Sequence, residues 1–350
     1  MSTSLGEEAT ARPTVTALRF YKRGDIRLDQ LELPQVGHAY QSCSSLLCSL
    51  STDITRPCGP DDVCVQVAYS GICGTDITEY LGGPMFPPQE GHPNPHTGVS
   101  LPVILGHEFS GTICDLGCNV HDLQLGQPVV ISLNAPGGGF SDRTVVRAMN
   151  CIPLPPTIDL RAAALIEPLA VGRHSITASS FRAGQSALIC GAGPIGLAIL
   201  LLLRVMGASK IIVTEILDSR IELARRFGAD AVINPLLRPS PADTRPEPVE
   251  EAVRQAAGSG GVVLNVAIHK KPLVLNLNEL GMREKKLLSG ICYLREGFEF
   301  VIGLLAENKP DDAQQMVTSV VPLSRAVEGA FEQLVHNRGA HIKILIRPGY

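Results

Sequence analysis

No long apolar run, no surplus of positive charge and no CxxC pair occurs in this 350-residue chain, and each absence removes a class of function. A membrane-spanning helix needs roughly 18 or more apolar residues, and the most apolar stretch, Ile195 to Met206, is too short. Met1 to Arg23 carries charges and no apolar segment of signal-peptide length, which points to the cytosol. A net charge of −4 gives no electrostatic case for nucleic acid or an anionic membrane. The ten cysteines lack the CxxC spacing of a zinc ribbon or a thioredoxin-like site, and a cytosolic protein keeps most of its cysteines reduced and buried.

What is present is apolar and glycine-rich. With 45% hydrophobic residues and 34 glycines, the chain is long enough for two domains, each with its own core. Residues up to about Leu169 alternate short strand patterns with Gly and Pro turns, as at Val63 to Tyr69, Gly111 to Leu116 and Gln127 to Leu133. Ala170 to Phe181 reads as a connecting helix, and Ser186 to about Asn308 as an α/β unit. Ser324 to Val335 reads as an amphipathic helix, followed by a strand at His341 to Ile346.

Two short runs carry candidate chemistry. Cys73 lies in Gly71-Ile72-Cys73-Gly74-Thr75-Asp76, and His107-Glu108 in Gly106-His107-Glu108-Phe109-Ser110-Gly111. Thiolate, imidazole and carboxylate suit a borderline-soft cation such as zinc, and three protein ligands leave a fourth position open for chemistry. Taken singly, a Cys in an apolar run is usually a small buried hydrophobe, and a His beside a Glu a surface pair. The flanking glycines and the nucleotide motif that follows weigh towards the metal.

That motif opens at Ser186-Ala187-Leu188-Ile189-Cys190, a strand-like run followed by Gly191-Ala192-Gly193-Pro194-Ile195-Gly196 and the apolar stretch to Met206. Strand, glycine turn and buried helix begin a dinucleotide-binding unit. Gly191 allows the tight turn, Gly193 admits the pyrophosphate, Gly196 lets helix pack on strand, and Pro194 suits a first helical turn beside Ile195. A second strand, Lys210 to Thr214, ends at Glu215, near the roughly 20-residue spacing expected of the acid that holds the ribose hydroxyls. A carboxylate there repels a 2′-phosphate and favours NAD(H) over NADP(H). Arg220, Arg225 and Arg226 either soften that preference or form the solvated face of the next helix.

These runs resemble the zinc-dependent medium-chain alcohol and polyol dehydrogenases, most nearly the branch of butanediol and sorbitol dehydrogenases. Further matching text is Leu101-Pro102-Val103-Ile104-Leu105-Gly106-His107-Glu108, Glu167-Pro168-Leu169-Ala170-Val171 and Ser289-Gly290-Ile291-Cys292-Tyr293. The resemblance implies a GroES-like, mostly β catalytic domain at 1–169, a Rossmann-type doubly wound parallel sheet at 170–308, and a C-terminal segment, 309–350, that returns to the first domain. It also implies one catalytic Zn2+ on Cys73 and His107, with Glu108 or Glu167 as carboxylate ligand, and Thr75 as the hydroxyl that passes the substrate proton outward. Relatives form dimers or tetramers.

Four departures from that pattern are visible. The family's structural-zinc lobe would fall between Ser132 and Gly137, which Leu133-Asn134-Ala135 bridges directly, so no structural zinc is expected. Residues 37–59 form an insert expected to loop out. Thr78 stands where many relatives place a histidine that completes the proton relay, so a slower or more pH-dependent proton exit is expected. After Val249 to Ala257 a strand-helix unit is missing before Gly261 to Ala267, which would leave neighbouring strands with an uncovered edge or a changed order. Two lesser features read as surface: His92 and His96 in the Pro-rich loop 82–98, and the turn Gly137-Gly138-Gly139.

The implied reaction is NAD(H)-linked hydride transfer between a secondary alcohol, vicinal diol or polyol and its ketone or aldehyde. Three alternatives stay open: a reductase or dehydrogenase of a secondary-metabolite intermediate on the same site, a zinc-free reductase of the quinone-reductase kind, and a catalytically impaired family member.

Overall fold

Val63, Val65 and Val67 are fully buried while Cys64 and Gln66 between them are half-buried, and this period of two makes Asp62–Gly71 a strand with one face on a core. In the computed structural model, which describes residues 14–32, 58–93, 99–132, 138–237, 260–269, 272, 274, 276–310 and 312–349, that strand is the hub of the first domain.

Preceding it are β1 (Thr14–Lys22) and β2 (Asp25–Glu32), an antiparallel hairpin, and the hub itself is β3. Next come β4 (Val103–Ile104), which adds to β1, then β5 (Glu108–Leu116), β6 (Pro128–Ile131), β7 (Arg143–Arg147) and β8 (Cys151–Pro153). The main sheet runs β14-β15-β3-β5-β6-β8, with β7 also paired to β3. Its first two members, β14 (Val317–Pro322) and β15 (Lys343–Arg347), come from the C-terminal segment. Strand β15 pairs antiparallel with β3, Leu345 opposite Gly71 and Ile346 opposite Ser70, so a segment distant in sequence completes the main sheet.

The second domain is built on β9 (Ser186–Cys190), β10 (Lys210–Thr214) and β11 (Ala231–Ile233), parallel and in the order β11-β10-β9. Among the described residues β9 pairs only with β10. A separate parallel pair joins β12 (Val262–Asn265) to β13 (Lys286–Ser289). Among the described residues the parallel strands thus fall into two sheets, one ending at β9 and one formed by β12 and β13; residues 238–259 lie outside the described residues. So do the 37–57 part of the insert, His96, Gly137 and the 133–137 interval considered for a structural zinc.

Five helices matter for the site: α1 (Gly74–Gly82), α2 (Leu160–Ala163), α3 (Ile166–Ala178), α4 (Pro194–Val205) and α5 (Asp218–Arg226). Helix α3 begins earlier than its sequence pattern suggests. Pro168 falls in its first turn, where a missing N–H costs nothing, so the helix takes in Glu167 and buries it. Leu197, Leu200, Leu201 and Leu202 of α4 are fully buried in the core shared with Leu169 and Phe298. Each such side chain contributes roughly 1.5–3 kcal/mol by leaving water. The 324–335 region is helical throughout but changes pitch, a π segment at Val327–Phe331 preceding the helix Glu332–His336. Among the described residues no helix is long and apolar enough to cross a membrane.

Candidate active site

Strand register assembles the site. Gly71, at the end of β3, lies opposite Glu108, at the start of β5, so Cys73 just beyond the one and His107 just before the other emerge side by side. The ligand atoms of Cys73, His107 and Glu108 all lie within 4.8 Å of one another, and among the described residues this is the only group of three or more such side chains placed to hold a metal ion. The donor set, one sulfur, one imidazole nitrogen and one carboxylate oxygen, matches the chemistry of zinc.

Supporting contacts fix each member. Cys73 is the N-cap residue of α1. Its backbone N–H donates to Asp76 Oδ2 at 2.8 Å, and the other oxygen of Asp76 lies 3.8 Å from His107 Nδ1. Thr75 Oγ1 is 3.5 Å from His107 Nε2. Burial pushes the imidazolium of His107 down, but the Cys73 thiolate and the Asp76 carboxylate outweigh it and hold it well above the usual histidine value. Thr78, one turn along, donates its hydroxyl to the Gly74 carbonyl at 3.0 Å.

Glu108 is 1% exposed and is held by Lys343, itself buried on β15. The ammonium donates to Oε1 at 2.7 Å, to Oε2 at 2.5 Å and to the Ile72 carbonyl at 3.0 Å. Glu167 stands outside the three-residue group but inside its field. Burial first, then the charge of Glu108, pushes its carboxyl up to about 8, against the pull of His107 and Lys343. Cys292, at a left-handed φ of 55°, has its thiol pushed up by burial first and then by the charge of Glu167.

Asp76 ends the Gly71–Asp76 run but sequence reasoning gives it no role, and it misses Lys343 altogether. A lysine within the apolar strand Ile342-Lys343-Ile344-Leu345 is nonetheless a signal, because buried lysines need partners.

The nucleotide turn follows its expected geometry. Gly191 has a φ of 103°, and a Cβ on Gly196 would run into the Gly191 carbonyl oxygen. Gly193 caps α4, Pro194 occupies its first turn, and Ile195 follows half-buried. Glu215 is 7% exposed, with Oε2 accepting from the Ala192 N–H at 2.9 Å and Oε1 from those of Ile216 and Leu217. The carboxylate therefore clamps the glycine turn as well as ending β10. Arg220 donates to the carbonyls of Arg338 and His341 at 3.0 and 3.3 Å, tying α5 to the C-terminal segment. Arg225 and Arg226 are exposed. His92 lies exposed on its loop, its Nδ1 3.0 Å from the Glu90 carbonyl.

Residues 59–156 match the profile of the alcohol dehydrogenase GroES-like domain, and residues 194–245 that of the zinc-binding dehydrogenases. The (R,R)-butanediol dehydrogenase of Neisseria gonorrhoeae is 32% identical, over 95% of this chain and 99% of the relative. The chain belongs to the zinc-binding alcohol dehydrogenase family. Sorbitol dehydrogenase of Bos taurus is 28% identical to this family member, over 97% of the chain and 98% of the relative. The crystal structure of 2R,3R-butanediol dehydrogenase from Bacillus subtilis superposes with a TM-score of 0.80 at 27% identity, covering 96% of this chain and all of that one.

Proposed function

We propose that this family member interconverts a vicinal diol or other secondary alcohol and its ketone by NAD(H)-linked hydride transfer. The observation that carries the reading is the convergence of Cys73, His107 and Glu108 within 4.8 Å at the end of the β3–β5 ladder. Cys73, His107 and a carboxylate, Glu108 or Glu167, would hold zinc there. Bound zinc supplies Lewis acidity that makes an alcohol acidic near neutral pH or polarises a carbonyl.

The chain's own groups divide the remaining work. Asp76 aligns Cys73 and His107, and Lys343 holds the charge of Glu108 in place. Thr75 is the hydroxyl positioned to receive the substrate proton beside His107. Thr78 cannot hold that proton as an imidazole would, so its exit passes through water. Gly191, Gly193 and Gly196 shape the pyrophosphate turn, with Pro194 and Ile195 opening the helix behind it. Glu215, with lone pairs beyond those its backbone donors use, is the group that meets the ribose, and Arg220 flanks it.

The names of the relatives, butanediol and sorbitol dehydrogenases, support a diol or polyol substrate. The test is a screen of diols, polyols, aldehydes and ketones with NAD(H) and NADP(H), on protein whose zinc content has been measured. The reading expects NAD-linked oxidation of a diol and loss of turnover, with nucleotide binding kept, in Cys73→Ser. Retained turnover in that variant refutes it. Zinc without nucleotide binding would identify an impaired enzyme and overturn the reading.

A further inference from the structure

The outer face of the ladder that carries the site holds two thiols the dehydrogenase chemistry does not use. Val63, Val65 and Val67 point into the core, so Cys64 faces the other way. Along β5 the pairing runs Leu116 with Val63, Asp115 with Cys64, and Ile113 with Val65, which leaves Cys114 as an extra residue. Strict alternation would put Cys114 on the face opposite Asp115. The bulge instead brings it to the face shared by Cys64 and Asp115, while Ile113 and Leu116 both keep contact with the core.

The consequence is a close sulfur pair. Cys114 Sγ lies 3.3 Å from Cys64 Sγ and 3.4 Å from the Cys64 carbonyl oxygen. Both residues are free, half-buried thiols. On the neighbouring strand, Arg143 sits opposite Gln66, on the same face. The two sulfurs are unequal: the Cys64 thiol and then the Arg143 guanidinium hold Cys114 below its ordinary value, against burial and Asp115. Cys64 is pushed up by Cys114 and by burial. An attacking thiolate and an adjacent resolving thiol are the parts of a redox dithiol.

We propose that Cys64 and Cys114 form a reversible redox site that closes to a disulfide on reaction with a low-molecular-weight disulfide such as oxidised glutathione. The Cys114 thiolate attacks one sulfur of the reagent, whose S–S bond breaks and releases one small thiolate. The resulting mixed disulfide is attacked at Cys114 by Cys64, whose proton passes to the departing small thiol. In sum, two protein thiols are oxidised to one disulfide and one reagent disulfide is reduced to two thiols. The sulfurs need approach only from 3.3 Å to the roughly 2.05 Å of a bond, on strands already paired.

The experiment treats the full-length, zinc-loaded protein with oxidised glutathione, alkylates the remaining thiols and maps non-reduced peptides by mass spectrometry. The expected product joins the Cys64 and Cys114 peptides with loss of two hydrogen atoms and is released by a thiol reductant. In Cys64→Ser, glutathione stays on Cys114 because the resolving thiol is gone; in Cys114→Ser, Cys64 remains open to alkylation. If both cysteines of the unmodified sequence are still alkylated after treatment, with glutathione only on exposed Cys118, the proposal is overturned. A disulfide from either residue to Cys58 overturns it equally. Mapping of the unsubstituted protein decides the matter even if a serine variant fails to fold.

Discussion

The ammonium of Lys343 grips both oxygens of Glu108, at 2.7 and 2.5 Å, across 235 residues of chain and with both side chains buried. Such a pair is costly to form and costly to break from one side. Lys343→Met is expected to lower the unfolding free energy by about 3–5 kcal/mol, since it leaves a buried carboxylate alone. Adding Glu108→Gln should recover much of that loss. Denaturant titration of the two single variants and the double closes the cycle, and strict additivity would contradict the coupling.

Asp76 touches the metal candidates without belonging to them. Asp76→Asn keeps the shape but removes the charge that faces His107, and metal affinity should fall roughly 10–100-fold. Competition with a chromogenic chelator measures it.

Gly196→Ala drives a methyl group into the Gly191 carbonyl. The turn must open, at a cost of about 1–3 kcal/mol, and NAD(H) affinity should drop while zinc content stays unchanged. Calorimetric titration with NADH, beside metal analysis, distinguishes a damaged turn from a damaged fold. Glu215→Ala, which frees the Ala192 N–H, should act in the same direction and narrow any preference for NAD over NADP.

Tyr80 gives an alkaline signature. Its hydroxyl donates to Glu332 Oε1 at 2.5 Å, and that bond, with burial behind it, raises the phenol from 10.0 to about 12. A pKa raised by folding means stability that is complete below pH 10 and drains away as pH climbs towards 12. Tyr80→Phe should therefore be less stable than the parent at neutral pH and should lose less between pH 10 and 12. Thermal unfolding across that window reads the difference.

Local chemistry was legible and long-range pairing was not. Cys73, His107 and the glycine turn announce themselves through neighbours a few residues away. The opposition of Gly71 to Glu108 depends on a register between strands far apart in sequence, and no local pattern encodes it. Asp76 reads as an ordinary helical acid until His107 arrives beside it, and Lys343 as a lysine in a strand until Glu108 does. Helix α3 starts at Ile166, ahead of the Ala170 that the sequence pattern gives, because a first helical turn accepts Pro168. The separation of β9 from β12 among the described residues accords with the strand-helix unit that the sequence lacks before Gly261.

The ends of β3 and β5 and the buried lysine of β15 meet at Glu108. During synthesis, the ribosome delivers Cys73 and His107 long before Lys343. A growing chain thus holds Glu108 without its buried ammonium partner until the C-terminal strand docks.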